Sequence, residues 1–241
     1  MITKIVTSFG LNRIDRQRFC VASWRRLGLP IVAVQCDEQV EQLRAIFGDL
    51  VDSFTSLPAQ PNAWGRPHLA RVANHAKQTQ DGPILLINSD IEIRDTQEQF
   101  AREWLRDDPD TLVCGVRRDH RHGSYTNAIH PYGIDAFRIT PAMAEMLTDC
   151  GFVIGSPGWD YWLPWELWQA GFNVRAAESQ FMHEIHNLGY ADADVDIAHD
   201  LIFKRFRMPP HVMTVWIQWA TNRRGMKHKK GLTGNLPMIK G

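Results

Sequence analysis

The sequence has few of the features that mark disulfide-rich, secreted or membrane proteins. Its four cysteines stand far apart without a C-x-x-C pair, and Cys20, Cys36 and Cys114 lie within apolar stretches. This usage predicts reduced core thiols, as in cytosolic proteins. No apolar run approaches the ~20 residues that a transmembrane helix requires, and the N-terminal "MITKIVTSFG" lacks the apolar core of a signal peptide. We therefore expect a cytoplasmic protein with no transmembrane segment.

An excess of one charge is also missing. Lys plus Arg and Asp plus Glu both number 27, so the overall charge favours neither a nucleic-acid-binding nor a membrane-binding surface. Hydrophobic residues make up 44% of the 241 residues, enough for a sizeable core. We expect one domain over residues 1–222, followed by a basic tail over residues 223–241. The tail either contacts phosphate-rich acceptors or membrane headgroups, or remains a solvated end.

Three motifs with fixed positions in α/β enzymes are absent from the sequence. No G-x-G-x-x-G follows the first predicted strand, where the chain reads "SFGLNR" instead. This absence argues against a dinucleotide-binding oxidoreductase. No G-x-x-x-x-G-K-[ST] occurs, which excludes a P-loop, and no G-x-S-x-G elbow occurs, which argues against an ordinary α/β-hydrolase.

What is present is an alternation of strand and helix patterns. Strands are predicted at "KIVTSFG", "IVAVQ", about Leu50–Phe54 and "PILLI", with helices between them and a capping box at Asp95 and Glu98. In the second half, "TLVCGV" predicts a strand, residues 117–132 a polar loop, and Pro141 the start of a helix. The pattern predicts an α/β fold with a mostly parallel central sheet flanked by helices, in a single Rossmann-like domain.

A carboxylate stands at the end of one of these buried strands. "PILLINSDIEI" runs from four apolar residues directly into Asn88, Ser89 and Asp90. Ligands of open parallel sheets bind outside the carboxyl ends of the strands, and an acid placed there can hold a divalent cation. Asp90 is therefore either a cation ligand or a cap of the turn that follows the strand. Ser8 and Asp37 occupy the corresponding ends of the first two strands.

A second acid, Asp160, stands in "GSPGWDYWLPWELWQ", among four of the nine tryptophans of the chain. Aromatic walls raise the pKa of a carboxyl, which suits a general base for a sugar or alcohol hydroxyl. The alternative is a cap of the following helix, with the tryptophans in the core. Glu166 is a weaker candidate for the base.

Three stretches in order resemble the GT-A class of nucleotide-diphospho-sugar glycosyltransferases. They are "ILLINSDIEI", similar to the strand that ends in the D-x-D metal motif, "GIDAFRITPAMAEML", similar to the next strand and helix, and "GSPGWDYWLPWELWQAGFNV", similar to the Gly-rich loop, acid and helix of that class. The likeness covers most of residues 4–186. Asn88 stands at the usual first acid of D-x-D, and Trp159 at the first position of the usual Glu-Asp pair.

The resemblance implies sugar transfer from a nucleotide-diphosphate donor to an acceptor hydroxyl, on a glycan, a small molecule or a modified nucleic acid. It implies that Asp90 binds Mn²⁺ or Mg²⁺ on the donor diphosphate. A histidine of the H-x-x-H pair, His183 or His186, would complete the metal shell. Asp160 would be the base, with inversion at the sugar if attack is direct.

Other residues are predicted to contact the donor more loosely. Arg66, at a predicted helix start, pairs with the diphosphate or stays solvated. The further candidates for contacts to base, ribose or sugar are Ser8, Asp37, Asn88, Ser89 and Asp135. The cluster Arg117, Arg118, His120, Arg121 and His122 either holds an anionic acceptor or forms a solvated loop. A non-catalytic nucleotide-sugar binding protein and a metal-dependent hydrolase remain as alternatives.

Overall fold

The computed structural model describes most of the chain up to residue 205. The described residues are 2–58, 66–75, 82–105, 108–120, 129–148, 151–185 and 192–205. His186, Arg121, His122, Cys150 and the predicted tail lie outside them, so the predictions for these residues are not addressed by the structure. Within the described part, no helix is both long enough and apolar enough to span a bilayer.

One half of the central sheet is entirely parallel. It consists of β1 (Lys4–Thr7), β2 (Ile31–Cys36), β3 (Ser53–Leu57) and β4 (Ile84–Ile87), in the order β3-β2-β1-β4. Strand β3 begins later than predicted. The Asp52 amide donates to the Ile31 carbonyl at 2.9 Å, and an Asp52 carboxylate oxygen accepts from the Ile31 amide at 2.8 Å. These bonds fix the residue before β3 against β2, so Ser53 begins the ladder.

The other half of the sheet is mixed. It contains β5 (Ile91–Ile93), β6 (Thr111–His120), β7 (Ile129–Ile139) and β8 (Asn173–Glu184), and extends the order as β4-β7-β6-β8-β5. β7 is antiparallel to β4 and β6, β8 is parallel to β6, and β5 is antiparallel to β8. Four of the seven strand pairings are parallel, which confirms the predicted α/β fold with a mostly parallel sheet flanked by helices.

The helices cover both faces of this sheet. Helices α1 (Ile14–Trp24), α2 (Asp37–Phe47) and α4 (Gln97–Trp104) pack on one face, and α3 (Leu69–Ala73), α5 (Pro141–Met146) and α6 (Trp159–Gln169) on the other. Helix α7 (Asp192–His199) continues into a π-helix, Asp200–Arg205. Residues along the central strands alternate between the two cores: Ile5 belongs to the core on the side of α1, and Val6 to the core on the side of α6.

Two local predictions are wrong. The capping box of α4 is formed by Thr96 and Gln99, whereas Asp95 accepts a hydrogen bond from the Gln180 amide at 2.9 Å. The tertiary contact takes Asp95 away from the cap. The bounds of the predicted polar loop, residues 117–132, are also wrong, because β6 continues to His120 and β7 already begins at Ile129, whereas residues 121–128 lie outside the described part.

Candidate active site

The turn after β4 lies beside the neighbouring strand β7. The Asn88 amide donates to the Asp135 carbonyl at 3.0 Å, and the Ile91 amide donates to the Asn88 carbonyl at 3.3 Å. This short turn reverses the chain into β5 and leaves Asp90 at its tip. The predicted strand end is therefore confirmed, with Asn88 and Asp135 adjacent at the same edge of the sheet.

His183 is brought to Asp90 by the register of β8. It pairs with Ile91 of β5 on one side and with Asp119 of β6 on the other. Its Nδ1 lies 3.0 Å from Asp119 Oδ1 and its Nε2 lies 3.6 Å from Asp90 Oδ2. Burial lowers the pKa of His183, but the hydrogen bond with Asp119 and the nearby Asp90 carboxylate outweigh it and raise the pKa to about 9. Asp119 and Asp90 thus face opposite sides of one imidazole.

Arg117 connects this group to a second pair of carboxylates. Its Nε lies 3.2 Å from Asp119 Oδ1, and its Nη1 donates to Asp135 Oδ2 at 3.0 Å. Burial alone would lower the pKa of Arg117, but Asp135, Asp119 and Asp160 together raise it. A half-buried guanidinium next to two carboxylates and near a third stays charged and holds the two that it contacts in place.

Asp160 lies in the first turn of α6, close to Ile134 of β7. Removal from water raises the pKa of its carboxyl to about 8, and the charge of Asp135 adds to this shift. Arg117 opposes the shift, as do hydrogen bonds from the backbone amides of Asp160 and Ile134. A carboxyl with this pKa can exchange a proton near neutral pH, as a general base must.

The loop between β1 and α1 borders the same edge of the sheet. The Gln17 side chain accepts from the Gly10 amide at 3.1 Å and donates to the Gly10 carbonyl at 2.9 Å. The Ser89 hydroxyl donates to Gln17 Oε1 at 2.8 Å, which ties the loop to the β4–β5 turn. Ser89 is buried, so the structure shows it bracing the loop. Its predicted ligand contact stays a prediction.

Arg66 joins this loop to the Gly-rich segment before α6. Its Nη1 donates to the Ile154 carbonyl at 2.9 Å. A methyl group built on Gly155 would lie 2.9 Å from Arg66 Nη1 and 3.4 Å from Asn88 Oδ1, and one on Gly10 would clash with the same guanidinium. The two glycines therefore make room for the Arg66 guanidinium, which lies near Asn88 as the prediction of a shared site requires.

The remaining candidates lie apart from this group or inside the core. Ser8 is buried and donates to Gln35 Oε1 at 3.1 Å. Asp37 begins α2 and accepts from Ser56 of β3, on the far side of β1 from β4. The half-buried Glu166 has a pKa raised by burial. The four tryptophans of α6, namely Trp159, Trp162, Trp165 and Trp168, are buried and fill the core.

Two members of the site were not predicted from the sequence, Asp119 and Arg13. Arg13 precedes α1, and its Nη1 lies 3.7 Å from Asp90 Oδ2. Asp119 was assigned to a solvated loop, although Arg117 and Asp119 alternate as they would on one face of a strand. The alternation after "TLVCGV" indicates that the strand continues, but the polar residues of this stretch favour the prediction of a loop.

The arrangement fits part of a divalent-cation site. Two ligands of one ion can be 3.6 Å apart, the distance between Asp90 Oδ2 and His183 Nε2. The contact of Asp119 with His183 Nδ1 matches the carboxylate–histidine arrangement that supports metal-binding imidazoles. Among the described residues, no group of three or more His, Cys, Asp or Glu side chains could hold a metal ion. Any further ligands would have to come from the donor, from water or from residues such as His186.

Comparison with known proteins supports the fold. No family model and no curated protein matches the chain. Among solved structures, the inositol-1-phosphate CTP transferase from T. maritima superposes with a TM-score of 0.52 at 10% sequence identity, covering 83% of this chain and 96% of that chain. At this identity the likeness shows a shared fold and does not transfer an activity.

Proposed function

We propose that the protein is a nucleotide-dependent transferase, and specifically that it transfers a sugar from a nucleotide-diphosphate donor to an acceptor hydroxyl. The observation that carries this proposal is the pairing of Asp160, a carboxyl with a pKa of about 8, with the connected charges of Arg117 and Asp135. The residues Asp90 and His183 lie in the same network through Asp119. Proton transfer and diphosphate binding would therefore take place side by side.

In the proposed reaction, the ionised Asp160 carboxylate takes the proton of the acceptor hydroxyl. The acceptor oxygen then bonds to the anomeric carbon as the bond from that carbon to the diphosphate oxygen breaks, and the nucleoside diphosphate leaves with the electron pair. Direct displacement inverts the anomeric centre. Arg117 keeps Asp135 and Asp119 in place, and Arg66 offers a guanidinium to the diphosphate.

A divalent cation would be held by Asp90 and by His183, whose imidazole would lose a proton when the cation binds, with Asp119 orienting the ring. When bound, it would supply electrostatic stabilisation of the leaving diphosphate. Mn²⁺ accepts both the carboxylate and the imidazole, whereas Mg²⁺ prefers oxygen ligands alone. We therefore expect Mn²⁺ to support the reaction better than Mg²⁺.

A second candidate is nucleotidyl transfer, in which a nucleoside triphosphate reacts with a phosphorylated alcohol and releases pyrophosphate. The shared fold with a CTP transferase favours it. The raised pKa of Asp160 favours glycosyl transfer instead, because an acceptor alcohol must lose a proton, whereas a phosphate acceptor is already ionised near pH 7.

The experiment is a thermal-shift panel followed by product analysis. UDP-, GDP-, CMP- and dTDP-sugars, and CTP with the other nucleoside triphosphates, are tested with and without Mn²⁺. A true donor raises the melting temperature in a concentration-dependent way. Phosphorus NMR then distinguishes the products: nucleoside diphosphate from a nucleotide-diphospho-sugar indicates glycosyl transfer, and pyrophosphate from a triphosphate indicates nucleotidyl transfer.

Two other outcomes of this experiment would argue against a transferase. Saturable nucleotide-sugar binding without turnover, in the presence of a broad mixture of sugar and alcohol acceptors, would support a non-catalytic binding protein. A panel in which no nucleotide shifts the melting temperature would overturn the proposal.

A further inference from the structure

Arg13 has an unusual backbone conformation at the start of α1. Its φ of 50° and ψ of 40° lie in the left-handed region, and it is the one non-glycine residue with positive φ in the described ranges. This conformation is strained for a residue with a Cβ. The loop is held by the Gln17 side chain, which also donates to the Asn12 carbonyl. The fold thus fixes a strained arginine at the edge of the sheet.

The side chain of Arg13 faces Asp90 without forming a hydrogen bond to it. The Nη1–Oδ2 distance is 3.7 Å, beyond hydrogen-bond range. Nη1 is buried and makes no hydrogen bond to any residue that the structure describes, while the side chain as a whole remains 23% exposed. Within the described part of the chain, Nη1 is therefore attracted to Asp90 by charge, and its hydrogens can bind a second anion.

A second guanidinium lies across the same loop. Arg66 contacts Gly10 on the loop and Gly155 on the segment before α6, where Asn88 Oδ1 is also close. Asn88 and Asp90 belong to one short turn, so Arg66 and Arg13 both lie close to it. Two guanidinium groups at one strand end suit a diphosphate, which offers oxyanions to both.

We propose that Arg13 is a phosphate-binding residue that exchanges partners. Without ligand it pairs with Asp90, and when a divalent cation takes the Asp90 carboxylate, the guanidinium turns to a phosphate oxygen of the bound diphosphate. The exchange follows from charge, because Arg13 and a cation repel each other when both lie next to one carboxylate. The displacement of Arg13 from Asp90 by a cation rests on the proposed function, whereas the binding of phosphate by Arg13 does not.

If Arg13 exchanges partners in this way, its replacement should change the affinities for pyrophosphate and for Mn²⁺ in opposite directions. Mn²⁺ alone and inorganic pyrophosphate alone are titrated calorimetrically into wild type, Arg13→Gly and Arg13→Gln. Arg13→Gly accepts the left-handed backbone without strain, so folding is retained even if Arg13→Gln is destabilised. We expect pyrophosphate to bind at least about tenfold more weakly to both variants, as loss of a charged hydrogen bond predicts. We expect Mn²⁺ to bind severalfold more tightly, because a competing positive charge has been removed.

Arg16→Gln is the matched control. Arg16 lies one turn further along α1, with Nη1 3.6 Å from Glu184 Oε2, and should leave both affinities unchanged. Unchanged or absent pyrophosphate binding, or Mn²⁺ binding that is absent in wild type or weakened by Arg13→Gly, would overturn the inference. If no nucleotide is turned over but the pyrophosphate and Mn²⁺ results hold, the proposed function fails while the assignment of Arg13 stands.

Discussion

The two halves of the sheet differ in where they carry charge. Strands β1, β2 and β4 are largely apolar and buried, with Lys4 at the start of β1 and polar residues near the strand ends. The edge strand β3 is more polar and partly exposed. Strands β6, β7 and β8 carry Arg117, Asp119, Asp135 and His183 within their length. Parallel strands covered by helices on both faces are nearly continuous apolar runs, whereas the mixed half buries charges that compensate one another.

This difference suggests that the two halves of the sheet have different functions. The parallel half offers loops and turns at which a donor diphosphate could be held, through Arg13, Arg66 and Asp90. The mixed half offers a connected network in which the pKa of Asp160 is raised and that of His183 is tuned by its neighbours. Substitutions in the two halves should therefore have separable effects, on donor binding and on chemistry respectively.

The largest expected effect tests the mixed half. Asp160→Asn preserves the size of the side chain but removes the base, so we expect transfer to fall about 10²–10⁴-fold while donor affinity persists. Steady-state rates and calorimetric donor binding are measured on the same preparation. Glu166→Gln, on the same helix, is the control and should retain most of its activity. Near-normal turnover in Asp160→Asn would reassign this residue to a structural role.

The next effect tests the turn of the parallel half. If Asp90 binds a cation together with the donor, Asp90→Asn should reduce donor affinity in Mn²⁺ to the value measured in EDTA. Asn caps a turn about as well as Asp, so a purely capping Asp90 would leave the metal dependence intact. Calorimetry of wild type and variant, each in Mn²⁺ and in EDTA, distinguishes the two. Equal metal dependence in both proteins would exclude the cation role.

A smaller effect tests the connection between the halves. Asp119 touches His183 from the side opposite Asp90, and loss of such supporting carboxylates typically costs about 10–100-fold in metal affinity. We expect Asp119→Asn to weaken Mn²⁺ binding in this range, measured by calorimetry without donor. Glu92→Gln, whose carboxylate pairs with Arg94 at 2.9 Å, is a control for loss of a buried acid. Equal Mn²⁺ affinity in Asp119→Asn and wild type would remove the supporting role.

The smallest effect concerns stability. The folded protein raises the pKa of Asp160 from its ordinary value of 3.8 to about 8, so the fold favours the neutral acid. Its contribution to stability is fully present below pH 3.8 and is lost as the pH rises to about 8. Asp160→Asn mimics the neutral acid and should gain melting temperature over wild type across this range, by roughly 2–4 °C for each kcal/mol recovered. A difference between the two proteins that does not change with pH would contradict the raised pKa of Asp160.

The observed helices and strands match the predicted ones where the bounds of an element are set by its own residues. Helix α2 ends at Phe47, next to Gly48, as its apolar spacing predicts, and α5 begins at Pro141. The strand that ends before Asn88 was also evident, because four apolar residues in a row bury on both faces of a sheet. These elements can be recognised in the sequence without knowing which distant residues they contact.

The sequence by itself determined the α/β alternation, the carboxylate at the end of β4 and an acid at the start of α6. Only the tertiary structure decided which charges share one network. Arg117 meets Asp135 across a strand pair, and His183 meets Asp119 across 64 positions of the chain. Polar residues such as Arg117 and Asp119 disfavour a buried strand until partners of opposite charge compensate them. The register of the paired strands brings those partners together, and this register cannot be inferred from the residues of one strand alone.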